Sequence, residues 1–162
     1  MPLDIGAIQQ SVISDLPIRV RWMLKNTYAV FDFSPAKTAL QVLAPTDVVG
    51  VEENWTKKWA DYLIFGKSDY SEGGGGSTPL LAIDRNNGKI YELDVEQDED
   101  AKVLTLLNSS MAQFIKTFRC LGKFLEKGEP LPKSIEGDLR VIDSEAYPTG
   151  NWRFLVDYLI GE

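Results

Sequence analysis

The sequence predicts an α+β fold, with a mainly antiparallel sheet and helices packed against it at the N-terminal and C-terminal ends. Apolar residues recur at helical spacing early and late in the chain, and β-branched and aromatic runs fill the middle. An Asn-Gly step separates two of those runs. Because 162 residues with a hydrophobic fraction of 44% can fill one core, residues 1–162 are predicted to form a single domain.

Two short helices are predicted first, followed by a hairpin. Apolar residues between positions 5 and 13 keep helical spacing, and Val20, Met23 and Leu24 form a second short apolar face after Pro17. Residues 28–33 and 38–43 are strand-like and flank the sequence SPAK, which predicts a hairpin turn.

The central strands have the clearest local pattern. Residues 61–66, DYLIFG, form an apolar run that ends at Gly66, as a buried strand does. PLLAID and KIYELDV are two further strands separated by RNNG, which favours a tight hairpin. In the second strand, Tyr91, Leu93 and Val95 point one way and Ile90, Glu92 and Asp94 point the other, an alternation that suits a sheet with one packed face and one wet face.

Four consecutive glycines, from Gly73 to Gly76, admit three interpretations: a domain linker, a phosphate-binding loop or a mobile loop inside one domain. A phosphate-binding loop that includes Gly66 and Lys67 needs an earlier glycine where Asp61 stands, and the glycine run is followed by a strand-like segment. Because neither side supports an independent domain boundary, we predict an internal mobile loop.

The C-terminal third predicts a long helix and a closing helix. Ser110 and Gln113 have the spacing of a capping box, the following apolar residues keep helical spacing up to Leu125, and Gly128 can end the helix. After a proline-containing connection, the NWRFLVDYLIGE sequence places four apolar residues on one face of a closing helix: Trp152, Leu155, Val156 and Leu159.

The composition excludes several kinds of site. The chain contains no histidine, which removes histidine-based triads and histidine metal ligands, and its single cysteine, Cys120, lies in an apolar helical pattern typical of a structural thiol. Loops starting at Asp84 or Asp94 lack the glycine and glutamate positions of an EF-hand. We therefore predict no enzyme, no cofactor and no metal site, with a carboxylate-dependent hydrolase as a minor alternative.

The charge balance favours a basic protein as partner. The formal net charge is −7, which opposes binding to nucleic acid and to anionic membranes. The N-terminus lacks the pattern of a leader peptide, and no apolar run has the length of a membrane span, so the expected location is the cytoplasm.

Acidic residues cluster at the end of the second hairpin strand. Such a cluster either is a solvated edge that discourages strand pairing or forms a binding surface for a basic partner. The predicted binding surface also includes residues just before the glycine-rich loop and two tryptophans near lysines. Aromatic residues often anchor interfaces. The predicted partner-binding residues are Glu92, Asp94, Glu96, Asp98, Glu99, Asp100, Lys67, Asp69, Tyr70, Trp55 and Trp59.

The order of motifs resembles the SUKH superfamily of bacterial immunity proteins, in its group of small single-domain members. YLIFGKS, a glycine-containing loop, PLLAIDRNNGKIYELD, NSSMAQFIKTF and NWRFLVDYL follow one another as in that family, over about the C-terminal two-thirds of the chain. The matching positions, which the resemblance assigns to the scaffold, are Gly66, Asp84, Gly88, Tyr91, Asp94, Asn108, Ser109, Ser110 and Phe114.

This resemblance implies a non-enzymatic protein that neutralises a co-produced toxin, commonly a nuclease, by stoichiometric binding as a monomer or weak dimer. An acidic inhibitor suits a basic toxin, because it can cover the surface that binds nucleic acid. The alternative is an intracellular regulatory or scaffolding domain of the same fold without a toxin partner.

Overall fold

A computed structural model describes residues 17, 19–25, 27–37, 62–70, 80–93 and 103–160 of the chain. In this part, the fold is α+β: six antiparallel strands form one sheet in the order β1-β2-β3-β4-β5-β6, and three helices follow. The strands are β1 (Arg19–Met23), β2 (Tyr28–Lys37), β3 (Tyr62–Tyr70), β4 (Leu80–Asp84), β5 (Ile90–Leu93) and β6 (Val103–Asn108). The helices are α1 (Met111–Leu125), α2 (Ile135–Ile142) and α3 (Asn151–Ile160).

The first described element is a strand, so the prediction of a second N-terminal helix around Val20 is wrong. β1 pairs with β2, and its side chains alternate between the buried Trp22 and the exposed Arg19 and Arg21. A run of five residues is too short for its apolar positions to separate period 2 from period 3.6. Pairing with β2 makes these five residues a strand. The predicted helix at residues 5–13 lies outside the described residues.

β2 and β3 are longer than their sequence patterns predict. SPAK is part of β2 instead of a turn, and the pairing with β3 shifts register between Phe33 and Lys37, an irregularity at which proline is tolerated. β3 continues past Gly66 to Tyr70. A Cβ atom at Gly66 would lie 2.6 Å from the backbone oxygen of Asp32, so this glycine permits close strand approach and does not end the strand. The predicted strand at residues 38–43 lies outside the described residues.

The β4–β5 hairpin is confirmed, with one difference in its turn. Gly88 has φ of 78°, whereas no described residue other than glycine has positive φ, so Asn87 does not share the left-handed conformation. The Asp84 carboxylate accepts a hydrogen bond from the Asn86 amide at 2.8 Å, and the Asn87 side-chain oxygen accepts one from the Lys89 amide at 2.9 Å. The turn is therefore stabilised by Asx contacts and one glycine.

α1 packs its apolar stripe on one face of the sheet, as predicted. Phe114, Phe118 and Leu121 are buried, and Phe118 stacks on Trp22 with ring centroids 4.6 Å apart. The Ser110 hydroxyl oxygen accepts a hydrogen bond from the Gln113 backbone amide at 3.2 Å. The Gln113 side chain donates to the Ile142 carbonyl instead of returning to Ser110, so only half of a capping box forms. Gly128, with φ of 71°, follows the helix end.

A buried polar junction joins β6 to the helices. Asn108 Nδ2 donates to Thr117 Oγ1 on α1 and to the Asp143 carboxylate after α2, both at 3.1 Å, and Asn108 Oδ1 accepts the Trp152 Nε1–H of α3 at 2.7 Å. Asp143 also accepts from the Ser109 amide and hydroxyl, at 2.7 and 2.8 Å. Because one amide contacts all three helical regions, Asn108 fixes how the helices meet the sheet.

Candidate functional site

The strand topology brings the connections with the predicted binding residues to one end of the sheet. Leu93, the last residue of β5, pairs with Leu80 on β4 and Val103 on β6. Tyr70, the last residue of β3, pairs with Ala29 near the start of β2. We call this the upper end of the sheet, defined by the strand residues Met23, Tyr70, Leu80, Leu93 and Val103. Residues 71–79, with the glycine run, and residues 94–102, with the acidic cluster, therefore both connect strands at the upper end.

The predicted tryptophans belong to a connection from the opposite end. Residues 38–61 join Lys37 of β2 to Tyr62 of β3, and Tyr62 pairs with Asp84 beside the β4–β5 turn. Trp55 and Trp59 lie outside the described residues, but the strands that flank them end far from the upper end. By contrast, Trp22 and Trp152 are core residues.

The other predicted contact residues are partly within the described chain. Lys67 is exposed on β3, three residues before the upper end, and Asp69 and Tyr70 occupy the last positions of the same strand. The remaining acidic residues of the set, Asp94, Glu96, Asp98, Glu99 and Asp100, lie outside the described residues, as do the four glycines.

Glu92, one of the predicted partner-binding residues, is buried, with only 5% of its surface exposed. Glu92 lies on the same face of β5 as Ile90, which packs in the core beneath the helices. Leu93, on the other face, is buried as well. Both faces of β5 are thus covered, and Glu92 is removed from the accessible acidic set.

The Glu92 carboxyl group lies in a sparsely satisfied polar site between β5 and the start of α3. The Asn151 side-chain amide donates a hydrogen bond to Glu92 Oε1. Burial raises the pKa of Glu92 above its ordinary value of 4.5, while polar contacts with Asn151 and, more weakly, Ser68 lower it. The Ser68 hydroxyl is fully buried and forms no hydrogen bond of good geometry. Burial therefore makes ionisation of Glu92 harder in the folded chain than in water.

Sequence reasoning missed the partners of Glu92 and the position of β6. The VLTLLN sequence follows the acidic cluster directly and forms β6, whose Leu106 carbonyl oxygen would lie 2.4 Å from a Cβ at Gly150. Only a glycine before Asn151 allows α3 to start so close to the sheet and reach Glu92. The strand-like run at 103–108 was the available signal for β6, but no sequence signal links Asn151 to Glu92 across 59 positions.

The surface of α1 contains a shallow depression of about 430 Å³, lined by Arg119, Gly122, Lys123, Glu126 and Lys127. Its basic side chains lie in the last turns of the helix and just beyond them, where cations complement the helix C-terminus. Among the described residues, no group of three or more potential acidic or thiol metal ligands converges. No helix in the same part of the chain is long and apolar enough to cross a membrane.

Comparisons with protein-family models, with curated proteins and with solved structures find no significant match to this chain. The described fold is α+β with an antiparallel sheet and three helices.

Proposed function

We propose that the chain is a cytoplasmic immunity protein that neutralises a basic protein toxin by binding it stoichiometrically. The observation that carries this proposal is the convergence of two connections at the upper end of the sheet: Leu80 follows the glycine-rich connection, and its pairing partner Leu93 precedes the acidic one. The strand residues that flank the acidic sequence and the glycine-rich sequence are therefore paired at one end of the sheet.

Charge supports a basic partner. The chain carries a net charge of −7, and five acidic residues fall within residues 94–100. Clustered negative charge accelerates encounter with a basic protein and disfavours acidic competitors. A nuclease toxin fits this chemistry, because its substrate surface must attract phosphate groups.

The scaffold supports the same proposal. The resemblance to SUKH proteins rests partly on Asn108, Ser109 and Ser110, and these three residues form the polar junction and cap α1. The resemblance assigned them to the scaffold, and their contacts are scaffold contacts.

Co-expression with the toxin encoded beside the gene tests the proposal directly. We expect protection of the cells and co-elution of a 1:1 complex in size-exclusion chromatography. The absence of both protection and a complex would contradict the proposal. A complex with another intracellular protein, and no effect on the toxin, would favour the regulatory or scaffolding alternative.

A charge-reversal variant tests the acidic connection. Changing Asp98, Glu99 and Asp100 to lysine should lower the association rate by about tenfold or more and flatten its dependence on salt. The matched control reverses three exposed acidic residues, Glu126, Glu129 and Asp138, and so changes the net charge equally. Equal effects of the two variants would show that only net charge matters and would remove the acidic connection from the contact surface.

A further inference from the structure

The turn between β4 and β5 contains the one Asn-Gly step of the chain, Asn87–Gly88. Asn87 is exposed at the tip of a hairpin whose strand residues Ile83 and Ile90 are buried. Asparagine is a thermolabile residue, because the backbone nitrogen of the next residue can attack its side-chain carboxamide. Glycine hinders this attack least, since it has no Cβ. The turn therefore presents a reactive pair at an accessible position.

The turn also holds the Asn87 carboxamide beside the nitrogen that would attack it. Asn87 Oδ1 accepts a hydrogen bond from the Lys89 backbone amide at 2.9 Å. The ring of atoms that this hydrogen bond closes includes the Gly88 nitrogen, so the carboxamide is folded back along the peptide with which it can react. Gly88 has φ of 78°, a conformation that glycine adopts without strain. The local fold therefore favours contact between the two reacting groups.

The other asparagines in the described part of the chain lack this combination. Asn86 is exposed, but the next residue is Asn87, whose side chain crowds the attacking nitrogen. Asn108 and Asn151 donate their side-chain amides to buried carboxyl groups and precede residues that carry side chains. Asn87 is therefore the described asparagine at which accessibility, a following glycine and a folded-back carboxamide coincide.

One hydrogen bond of the turn opposes the reaction. The Gly88 backbone amide donates to the Asp84 carbonyl at 2.8 Å, and its nitrogen must leave this contact before it can attack. The net contribution of one such hydrogen bond corresponds to a factor of about 2 to 12 in an equilibrium constant. The turn therefore slows the reaction moderately and does not prevent it.

We propose that Asn87 is a site of spontaneous, non-enzymatic deamidation, which produces aspartate and isoaspartate in the β4–β5 turn. The Gly88 nitrogen loses its proton and bonds to Asn87 Cγ, the Cγ–Nδ2 bond breaks, and ammonia leaves with that proton. Water then opens the resulting cyclic imide at either of its carbonyl carbons. One opening gives aspartate, and the other gives isoaspartate, in which the backbone runs through the former side chain.

Either product alters the turn. The new carboxylate lies in the same turn as Asp84 and two residues before Lys89, whose Nζ atom forms a salt bridge with Glu145 at 3.9 Å. Isoaspartate also lengthens the backbone between Asp84 and Lys89, whose amide and carbonyl close the hairpin at 2.9 Å. This turn is at the end of the sheet opposite the upper end, so the inference does not depend on the proposed function.

The test incubates the full folded chain at neutral pH beside a synthetic DRNNGK peptide, which provides the reference rate. Peptide mass spectrometry after digestion at mildly acidic pH measures the loss of Asn87, and enzymatic methylation detects isoaspartate. We expect Asn87 in the folded chain to convert no more than about 12-fold more slowly than in the peptide, since one hydrogen bond must be released. Conversion should accelerate at mildly alkaline pH, because the attacking nitrogen must lose its proton.

Two matched variants locate the reaction. Asn87→Gln should abolish both the modified product and the isoaspartate signal, whereas Asn86→Gln, at the neighbouring exposed position, should retain them. Thermal unfolding verifies that both variants are folded. Conversion of Asn87 that is slower than the expected range, or an isoaspartate signal that persists in Asn87→Gln, would overturn the inference.

Discussion

Two buried carboxyl groups at the contact between sheet and helices differ in how well they are satisfied. Asp143 accepts hydrogen bonds from Asn108, from Ser109 twice and from the Ala146 amide. Glu92 accepts one side-chain hydrogen bond, from Asn151. Neither forms a salt bridge among the described residues. The comparison teaches that burial alone does not decide what a carboxyl group does. A filled set of donors makes Asp143 a structural anchor, whereas at Glu92 burial raises the pKa and few donors oppose that rise.

The largest expected effect comes from emptying the satisfied site. Asn108→Ala leaves the Trp152 indole N–H, Thr117 and Asp143 without their shared partner in the core. Because each buried group left unpaired costs about 1–3 kcal/mol, we expect a loss of about 3–5 kcal/mol in the free energy of unfolding, measured by urea denaturation. The exposed Asn86 provides a control, and its change to alanine should cost less than about 0.5 kcal/mol. Equal costs for the two variants would contradict a junction role for Asn108.

A single donor to Asp143 should matter less. Ser109→Ala removes the hydroxyl that donates to Asp143 Oδ1 at 2.8 Å, while the backbone donor from the same residue remains. Hydrogen bonds to charged groups contribute about 1.5–3 kcal/mol, and urea denaturation should show a loss in that range. A loss below about 0.5 kcal/mol would show that the remaining donors suffice.

The sparse site should make stability depend on pH. Burial raises the pKa of Glu92 in the folded chain. The contribution of Glu92 to the free energy of unfolding is therefore fully present below the unfolded pKa, near 4.5, and is lost as pH rises through the folded pKa. Glu92→Gln keeps the contact to Asn151 possible without a titratable group. Melting temperatures of both proteins between pH 4 and 9 should diverge as pH rises, with the variant more stable at high pH. Parallel curves would show that Glu92 ionises without cost.

The smallest effect is expected at Ser68. Its hydroxyl is buried without a hydrogen bond of good geometry, in contrast to the Ser109 hydroxyl. Ser68→Ala should therefore change the free energy of unfolding by less than about 0.5 kcal/mol or increase it, because an unpaired buried polar group is removed. Comparison with Ser109→Ala makes this a matched pair, and a large loss at Ser68 would indicate that its contact with Glu92 is a real hydrogen bond.

Local sequence signals predicted the elements that local chemistry determines. The β4–β5 hairpin follows from its Asn-Gly turn, and α1 follows from its helical spacing and the Ser110 cap. α3 begins at Asn151, as its apolar spacing indicated. By contrast, β1 was predicted as a helix, and β6 and α2 were missed. Each of these three has at most eight residues, and short elements are specified mainly by what they pack against.

The candidate site also combines features that the sequence predicts with features that only the structure shows. Composition and charge, which need no structure, favour a protein partner of opposite charge and exclude histidine chemistry. Only strand pairing decided that the glycine-rich and acidic connections share one end of the sheet, and only packing decided that Glu92 is buried while Phe154 is exposed. Alternation tells which residues share a face, but it cannot tell which face is covered, because coverage depends on elements distant in the chain. For this protein the sequence determined the local elements and the net charge, and the tertiary structure decided which carboxyl groups and rings meet solvent.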